Sequence, residues 1–408
     1  MNAISRQDRI PCIDRVRGGI VFAMIFFQLM ERFDSLGFLS RIASHDNEYG
    51  IILFPGMALA NIGAPLFFLL IAFNYIPSLH RRIEQDGRRA AYTHFIFRYL
   101  SILGFGCCIR TIELIFDGFS GWLLYLCLCG AVIAALSGLG LLLASLTKKD
   151  KLKALCGKIM RSVLVILGLI NLTISTVELY HVFWLDTLPL KYWNVLQSIG
   201  AAGLLMLLFA ESSTVIRGAA GAVLFGIFTF IHQLPGNMDR IDMDTQGGVI
   251  GVLGWCSMML IFTVMADLFY RDRECRQQGK TGLAANSYLI GLVVLILLGF
   301  AGQAGFVVNM GSVSPGYILV SLPMCAFIFW LLTLLDNWQP KIPFLTWWGT
   351  SPIIMYLLQY FVHDVIPSVI NGFDELPFLP ALGYVLLCTA IITWIAYRLY
   401  RNQQTIKM

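Results

Sequence analysis

Charge is what this sequence has least of. Only 13% of its 408 residues are Asp, Glu, Lys or Arg, whereas 58% are hydrophobic and the mean hydropathy is +0.74. A soluble domain carries about 25% charged and about 45–50% apolar residues, so a water-exposed globule is excluded. Paired cysteine motifs are missing too. None of the 10 cysteines forms a CxxC and most lie inside apolar runs, which indicates neither a disulfide framework nor a zinc site. No GxxxxGK[ST] phosphate loop, HExxH zinc pair or GxSxG nucleophile elbow occurs, which argues against an ATP-driven pump and against an intramembrane zinc protease. Short alternating strands, the signature of a transmembrane barrel, are absent, as are low-complexity tracts.

What the sequence has is a succession of apolar runs near the ~20 residues that cross a ~30 Å hydrocarbon core. Backbone groups must satisfy one another in lipid, so these continuous runs read as helices. We place crossings at 16–33, 58–76, 93–112, 121–146, 160–181, 193–210, 215–233, 248–269, 283–307, 316–335, 345–363 and 379–399. The expected fold is all-α: a polytopic transmembrane helical bundle of about 12 helices, with 11 as the alternative count. It forms a single membrane-embedded domain over 1–408. Arg6, Arg9, Arg15 and Arg17 precede a first span without a small-residue cleavage site, so that span is expected to stay as an anchor.

The net charge of +5 sits in short segments beside the spans, where it reports topology and not nucleic-acid binding. With the N-terminus inside, only Arg32, Arg41, Arg110, Lys191 and Arg240 fall outside. Arg98 lies just within the inner end of the third span, and the remaining Lys and Arg cluster on the inner side. The expected orientation is N-in and C-in. Outer segments such as 34–50 and 364–376 are polar or acidic, and tryptophans including Trp122, Trp193 and Trp348 flank spans at headgroup level.

Polar side chains inside spans are few. Gln28, Asn74, Asn171, Gln303 and Gln359 are uncharged amides, which read either as functional groups or as interhelical hydrogen-bond glue worth about 0.6 kcal/mol each. Glu178, Asp267 and His363 lie near span ends, where snorkelling to water accounts for them. His45 differs by its setting. The loop Ser44–Glu48 places its imidazole among carboxylates, which suits a general base, although an ordinary solvated loop histidine is the plainer account. His94 and His232 stand at span boundaries, as relays or as ordinary boundary residues.

Four stretches together resemble the membrane acyltransferase family related to heparan-alpha-glucosaminide N-acetyltransferase, in its bacterial form. IDRVRGG (Ile13 to Gly19) is similar to the family's opening D-x-x-R-G signature at Asp14, Arg17 and Gly18. His45 followed by FPGMALANIGAPLFFLLIAFNY (Phe54 to Tyr75) resembles its histidine loop and following span, with Pro65, Phe67 and Leu69 in register. RYLSILGFG (Arg98 to Gly106) is similar to its third span. WNVLQSIG (Trp193 to Gly200) and WGTSPIIMYLLQ (Trp348 to Gln359) resemble two later helices. Asn61 stands where the family usually has Asp, and Ser351 where it has Asn.

The resemblance implies transfer of an acyl group, in the first instance acetyl, from cytoplasmic acetyl-CoA or another acyl-CoA to a sugar or glycan beyond the membrane. It implies His45 as base, Gln28 and Asn61 as amides serving the oxyanion, and no metal. Asp14 and Arg17 belong to the opening signature, and Arg17, Arg81, Arg82 and Arg98 on the inner face are the cations for the CoA phosphates. The expected location is the bacterial inner membrane, with membrane lipids around the chain. Gly299, Gly302 and Gly305 permit close helix packing within a protomer or in a homo-oligomer. Two other classes stay open: a multi-span transporter or flippase without covalent chemistry, and a degenerate member serving as assembly partner of a glycan export system.

Overall fold

The structure is a computed structural model that describes residues 11–36, 62–116, 121–147, 149–184, 193–234, 246–309, 311–338, 343–350, 354–355, 358–359, 362–363, 366 and 372–401. Among the described residues every regular element is helical. Twelve α-helices run in chain order: α1 (Pro11–Glu31), α2 (Gly63–Asp86), α3 (Arg88–Phe116), α4 (Trp122–Leu146), α5 (Asp150–Trp184) and α6 (Val195–Met206). They continue with α7 (Thr214–Gln233), α8 (Gly248–Gln277), α9 (Ser287–Gly305), α10 (Pro315–Trp338), α11 (Pro343–Thr350) and α12 (Phe378–Arg401). Nine of these, α2 to α5, α7 to α10 and α12, are long and apolar enough to cross a membrane, as in a multi-pass membrane protein. The 12 residues of α6 reach only about 18 Å at 1.5 Å per residue, short of the ~30 Å core.

Several helices outrun the apolar stretches that announce them. The basic stretch after the second span is helical up to Asp86 and again from Arg88, interrupted by Gly87 alone. Gly87 has φ +82°, a left-handed value that costs glycine little and lets one helix stop and the next begin. α5 likewise starts at Asp150, so Lys151, Lys153, Lys158 and Arg161 are helical. Hydropathy marks only the part of a helix that lies in hydrocarbon, whereas backbone hydrogen bonding carries the helix on into water.

The chain divides into two compact units: Met1–Leu70 with Phe327–Lys407, and Ile71–Ala326. The first unit contains α1, α11 and α12. α1 crosses α11 where Gly18 faces the backbone of Leu345 and Gly349. One turn on, Phe22 lies edge-on to Phe344 at 5.0 Å and to Trp348 at 5.2 Å. Edge-to-face pairs of this kind add about 0.5–1.5 kcal/mol beyond the area they bury.

In the second unit α3 and α8 are the inner helices, each with 72% of its apolar stretch buried, whereas α7 has 17%. α7 therefore leaves most of its surface uncovered by the rest of the chain. Small residues set the close crossings, as packing in lipid favours. Gly104 of α3 meets Leu164 and Gly168 of α5, and Gly168 in turn meets Leu100. Gly299 and Gly302 of α9 face Leu319 of α10, which places both in a crossing within the chain, while a Cβ at Gly305 would meet no other element within 4 Å. Pro323 has no N–H for the Leu319 carbonyl one turn back, and that oxygen lies toward Gly299. Asp272, buried near the end of α8, accepts from the backbone N–H groups of Ser287 and Tyr288, both at 2.8 Å. It caps the start of α9, where a carboxylate meets the positive end of the helix.

Candidate functional site

α1 carries the opening signature into the first unit. Asp14 lies on this helix, but its side chain is outside the described residues, as are His45 and Asn61 altogether. Arg17 is half-buried, and its Nη1 donates to the carbonyl of Gly349 at 3.5 Å, a long bond. Gln28 follows three turns later on nearly the same face, about 16 Å along the axis. The first and the last of the resembling stretches thus meet, because glycine at position 18 lets α1 touch the backbone of α11.

Four buried polar atoms in this unit have no hydrogen-bond partner among the described residues: Gln28 Oε1, Trp348 Nε1, Gln359 Oε1 and Arg398 Nε. Trp348 is fully buried and Gln359 is 5% exposed. Such atoms are uncommon in folded proteins, because each forgoes about 1–3 kcal/mol of hydrogen bonding. Among the described residues the carbonyl oxygens of Gln28 and Gln359 thus make no interhelical hydrogen bond.

The other cations fall in the second unit. Arg81 is exposed on α2. Arg82 bonds Asp86 at 3.2 Å, a surface pair worth about 0–1 kcal/mol that leaves it available to a stronger anion. Arg98 is half-buried on α3 with its guanidinium 5.8 Å from the centre of the Tyr99 ring.

The remaining resembling stretches serve packing. Asn194 and Gln197 form a capping box at the start of α6: the Gln197 N–H donates to Asn194 Oδ1 at 3.1 Å, and the Asn194 N–H donates to Gln197 Oε1 at 2.9 Å. Asn194 Nδ2 also donates to the carbonyl of Gly106 at 2.8 Å, which ties α6 to α3. Gly200 and Gly203 then press against Leu103 and Tyr99. Tyr75 stacks on Tyr99 at 5.5 Å and donates to the Gly203 carbonyl at 2.8 Å. The motif glutamine at 197 is thus committed to a helix cap.

No family model matches the chain, and no curated protein matches it.

One polar cluster has no counterpart in the sequence reading. Arg217, 3% exposed at the start of α7, donates to Asp267 of α8, and Thr214 Oγ1 donates to the same carboxylate at 2.5 Å. Asp267, 31% exposed, is therefore paired with an arginine. The two residues lie far apart in sequence and on different helices, so neither position signals the other. His232, expected at a boundary, is buried beside the Phe228 ring at 5.7 Å, and His94 is half-buried next to Phe95. The backbone carbonyl of His363 accepts from Arg32 Nη1 at 2.6 Å, while the side chain of Glu178 lies outside the described residues. Among the described residues no three His, Cys, Asp or Glu side chains converge as a metal site requires.

Proposed function

We propose that this protein is a membrane-embedded acyltransferase. It draws an acyl group, acetyl in the first instance, from acyl-CoA on the cytoplasmic side of a bacterial inner membrane and passes it to a sugar or glycan on the far side. About twelve N-in, C-in crossings complete the reading. The observation that carries it is the meeting of two of the resembling stretches at Gly18 and Gly349, in the same unit as the unsatisfied buried atoms Gln28 Oε1, Trp348 Nε1 and Gln359 Oε1.

In this reading Arg17, at the basic end of α1, binds a CoA phosphate, and Asp14 is part of the signature. The acceptor hydroxyl or amine attacks the thioester carbonyl carbon, and its proton passes to His45. The C–S bond breaks, and the departing thiolate takes up a proton to leave as CoA. The amide N–H groups of Gln28 and Asn61 donate to the oxyanion while it exists. Positioning along α1 lowers the barrier, because the thioester and the acceptor reach one another from opposite faces.

The test is release of CoA from radiolabelled acetyl-CoA by purified protein in detergent. Wild type is expected to release CoA, and His45→Ala to lower the rate by about 10²-fold or more, the usual contribution of a positioned base. Gln28→Leu, which removes the orphan carbonyl along with the donor, is expected to slow release with the protein still folded. Absence of release at every pH near neutrality counts against acyl transfer and turns the question to uptake assays for a transporter.

A further inference from the structure

An open apolar groove of about 540 Å³ runs along the first unit, within the ~300–1,000 Å³ range of ligand sites. α12 forms one wall with a stripe at helical spacing from Leu386 through Ala390 and Trp394 to Tyr397, and Phe22, Phe344 and Trp347 form the other. Thr389 and Thr393 also line it, but their hydroxyls donate to the carbonyls of Val385 and Thr389, each at 2.7 Å, so the wall offers no free donor there. Leu386 is 53% and Trp394 56% exposed, so the groove opens outward to the bilayer. From Leu386 to Tyr397 it extends about 16 Å along the helix axis. That is about half of the ~30 Å hydrocarbon core, the depth of one leaflet.

The stripe ends in positive charge. Arg398 follows Trp394 by one turn, with its guanidinium 5.7 Å from the centre of that ring, and its buried Nε has no partner among the described residues. Arg401 follows Tyr397 by one turn and is exposed. No Asp or Glu occurs after Glu375, so α12 beyond its start offers these cations no counter-charge. The helix C-terminus itself carries about half a negative charge, which two guanidinium groups outweigh.

We propose that this groove binds one anionic phospholipid, with an acyl chain along the α12 stripe and the headgroup phosphate on Arg398 and Arg401. A guanidinium holds a phosphate by paired, charge-assisted hydrogen bonds, and Trp347, Trp394 and Tyr397 occupy the end of the groove nearest the headgroup, where amphipathic rings are favoured. A zwitterionic lipid offers the same chain but no net charge, so the arginines select the anionic species. This site stands apart from the acyl-transfer reading and survives its failure.

Native mass spectrometry of the full chain in mild detergent tests the proposal, with phosphatidylglycerol and phosphatidylcholine of matched chains supplied in equal amounts. The expected result is one retained phosphatidylglycerol, favoured about tenfold or more, since each surface Lys or Arg contributes about 1 kcal/mol toward an anionic lipid. Arg398→Gln/Arg401→Gln is expected to bring the two lipids to parity. Ala390→Trp, which fills the groove, is expected to abolish retention of both. Equal retention by wild type overturns the proposal, as does a preference that survives in the double arginine variant. A change of oligomeric state in Ala390→Trp with lipid retention intact overturns it as well, by assigning the groove to a second copy of the chain.

Discussion

Substitution of Gly18 by alanine is expected to prevent the first unit from forming as described. A Cβ there meets the carbonyl oxygen of Leu345 at 1.7 Å, its carbon at 2.7 Å and the nitrogen of Gly349 at 2.8 Å. These are backbone atoms, so no rotamer change relieves the clash, and α1 and α11 must move apart. Overpacking against side chains usually costs about 1–3 kcal/mol. Contact with rigid backbone exceeds that range. Gly19 provides the matched control, because a Cβ there finds only Leu345 Cδ2, at 3.9 Å. Gly19→Ala should leave the fold intact and gain up to about 1 kcal/mol of helix propensity. Thermal unfolding in detergent with recovery as a single species separates the two variants. Equal stability of Gly18→Ala and Gly19→Ala would contradict the crossing. The outcome also governs any activity measurement, since loss of function in Gly18→Ala then reports a lost helix contact and not a lost catalytic group.

The second large effect lies at Arg217 and Asp267. Removing one partner of a buried ion pair leaves the other without compensation and costs about 3–5 kcal/mol. Arg217→Met strands a carboxylate 31% exposed, which water partly rescues, whereas Asp267→Asn strands a guanidinium only 4% exposed. Asp267→Asn should therefore be the more damaging of the two. Replacing both, as Arg217→Met/Asp267→Leu, should recover much of the loss, because an apolar pair of similar volume escapes the desolvation penalty. A double-mutant cycle on thermal stability measures this directly, and additive losses would show that the two residues do not act as a pair.

The apolar helices were the most legible part of the sequence. The runs at 121–146, 215–233 and 379–399 coincide closely with Trp122–Leu146, Thr214–Gln233 and Phe378–Arg401. Their extensions were not legible: Arg81 to Asp86 and Asp150 to Arg161 are helical although charged, and charge is no obstacle to a helix that has left the hydrocarbon. Nor did the run at 193–210 disclose that its helix ends at Met206. The site was legible in its residue types but not in its pairings. Gly18 reads as part of a signature, yet only its neighbours reveal why a side chain is excluded. Gln197 reads as a motif glutamine, and the capping box with Asn194 emerges only once the start of α6 is fixed. Arg217 and Asp267 lie 50 positions apart, and helix packing alone joins them.

The acyl-transfer account is tested most directly by the side on which CoA is released. Membrane vesicles of both orientations, carrying the full chain, would be supplied with external acetyl-CoA, which does not cross the bilayer. The account predicts CoA release by inside-out vesicles, loss of that release in Arg17→Gln, and none from intact right-side-out vesicles. Equal release in both orientations, or none in either, would contradict it.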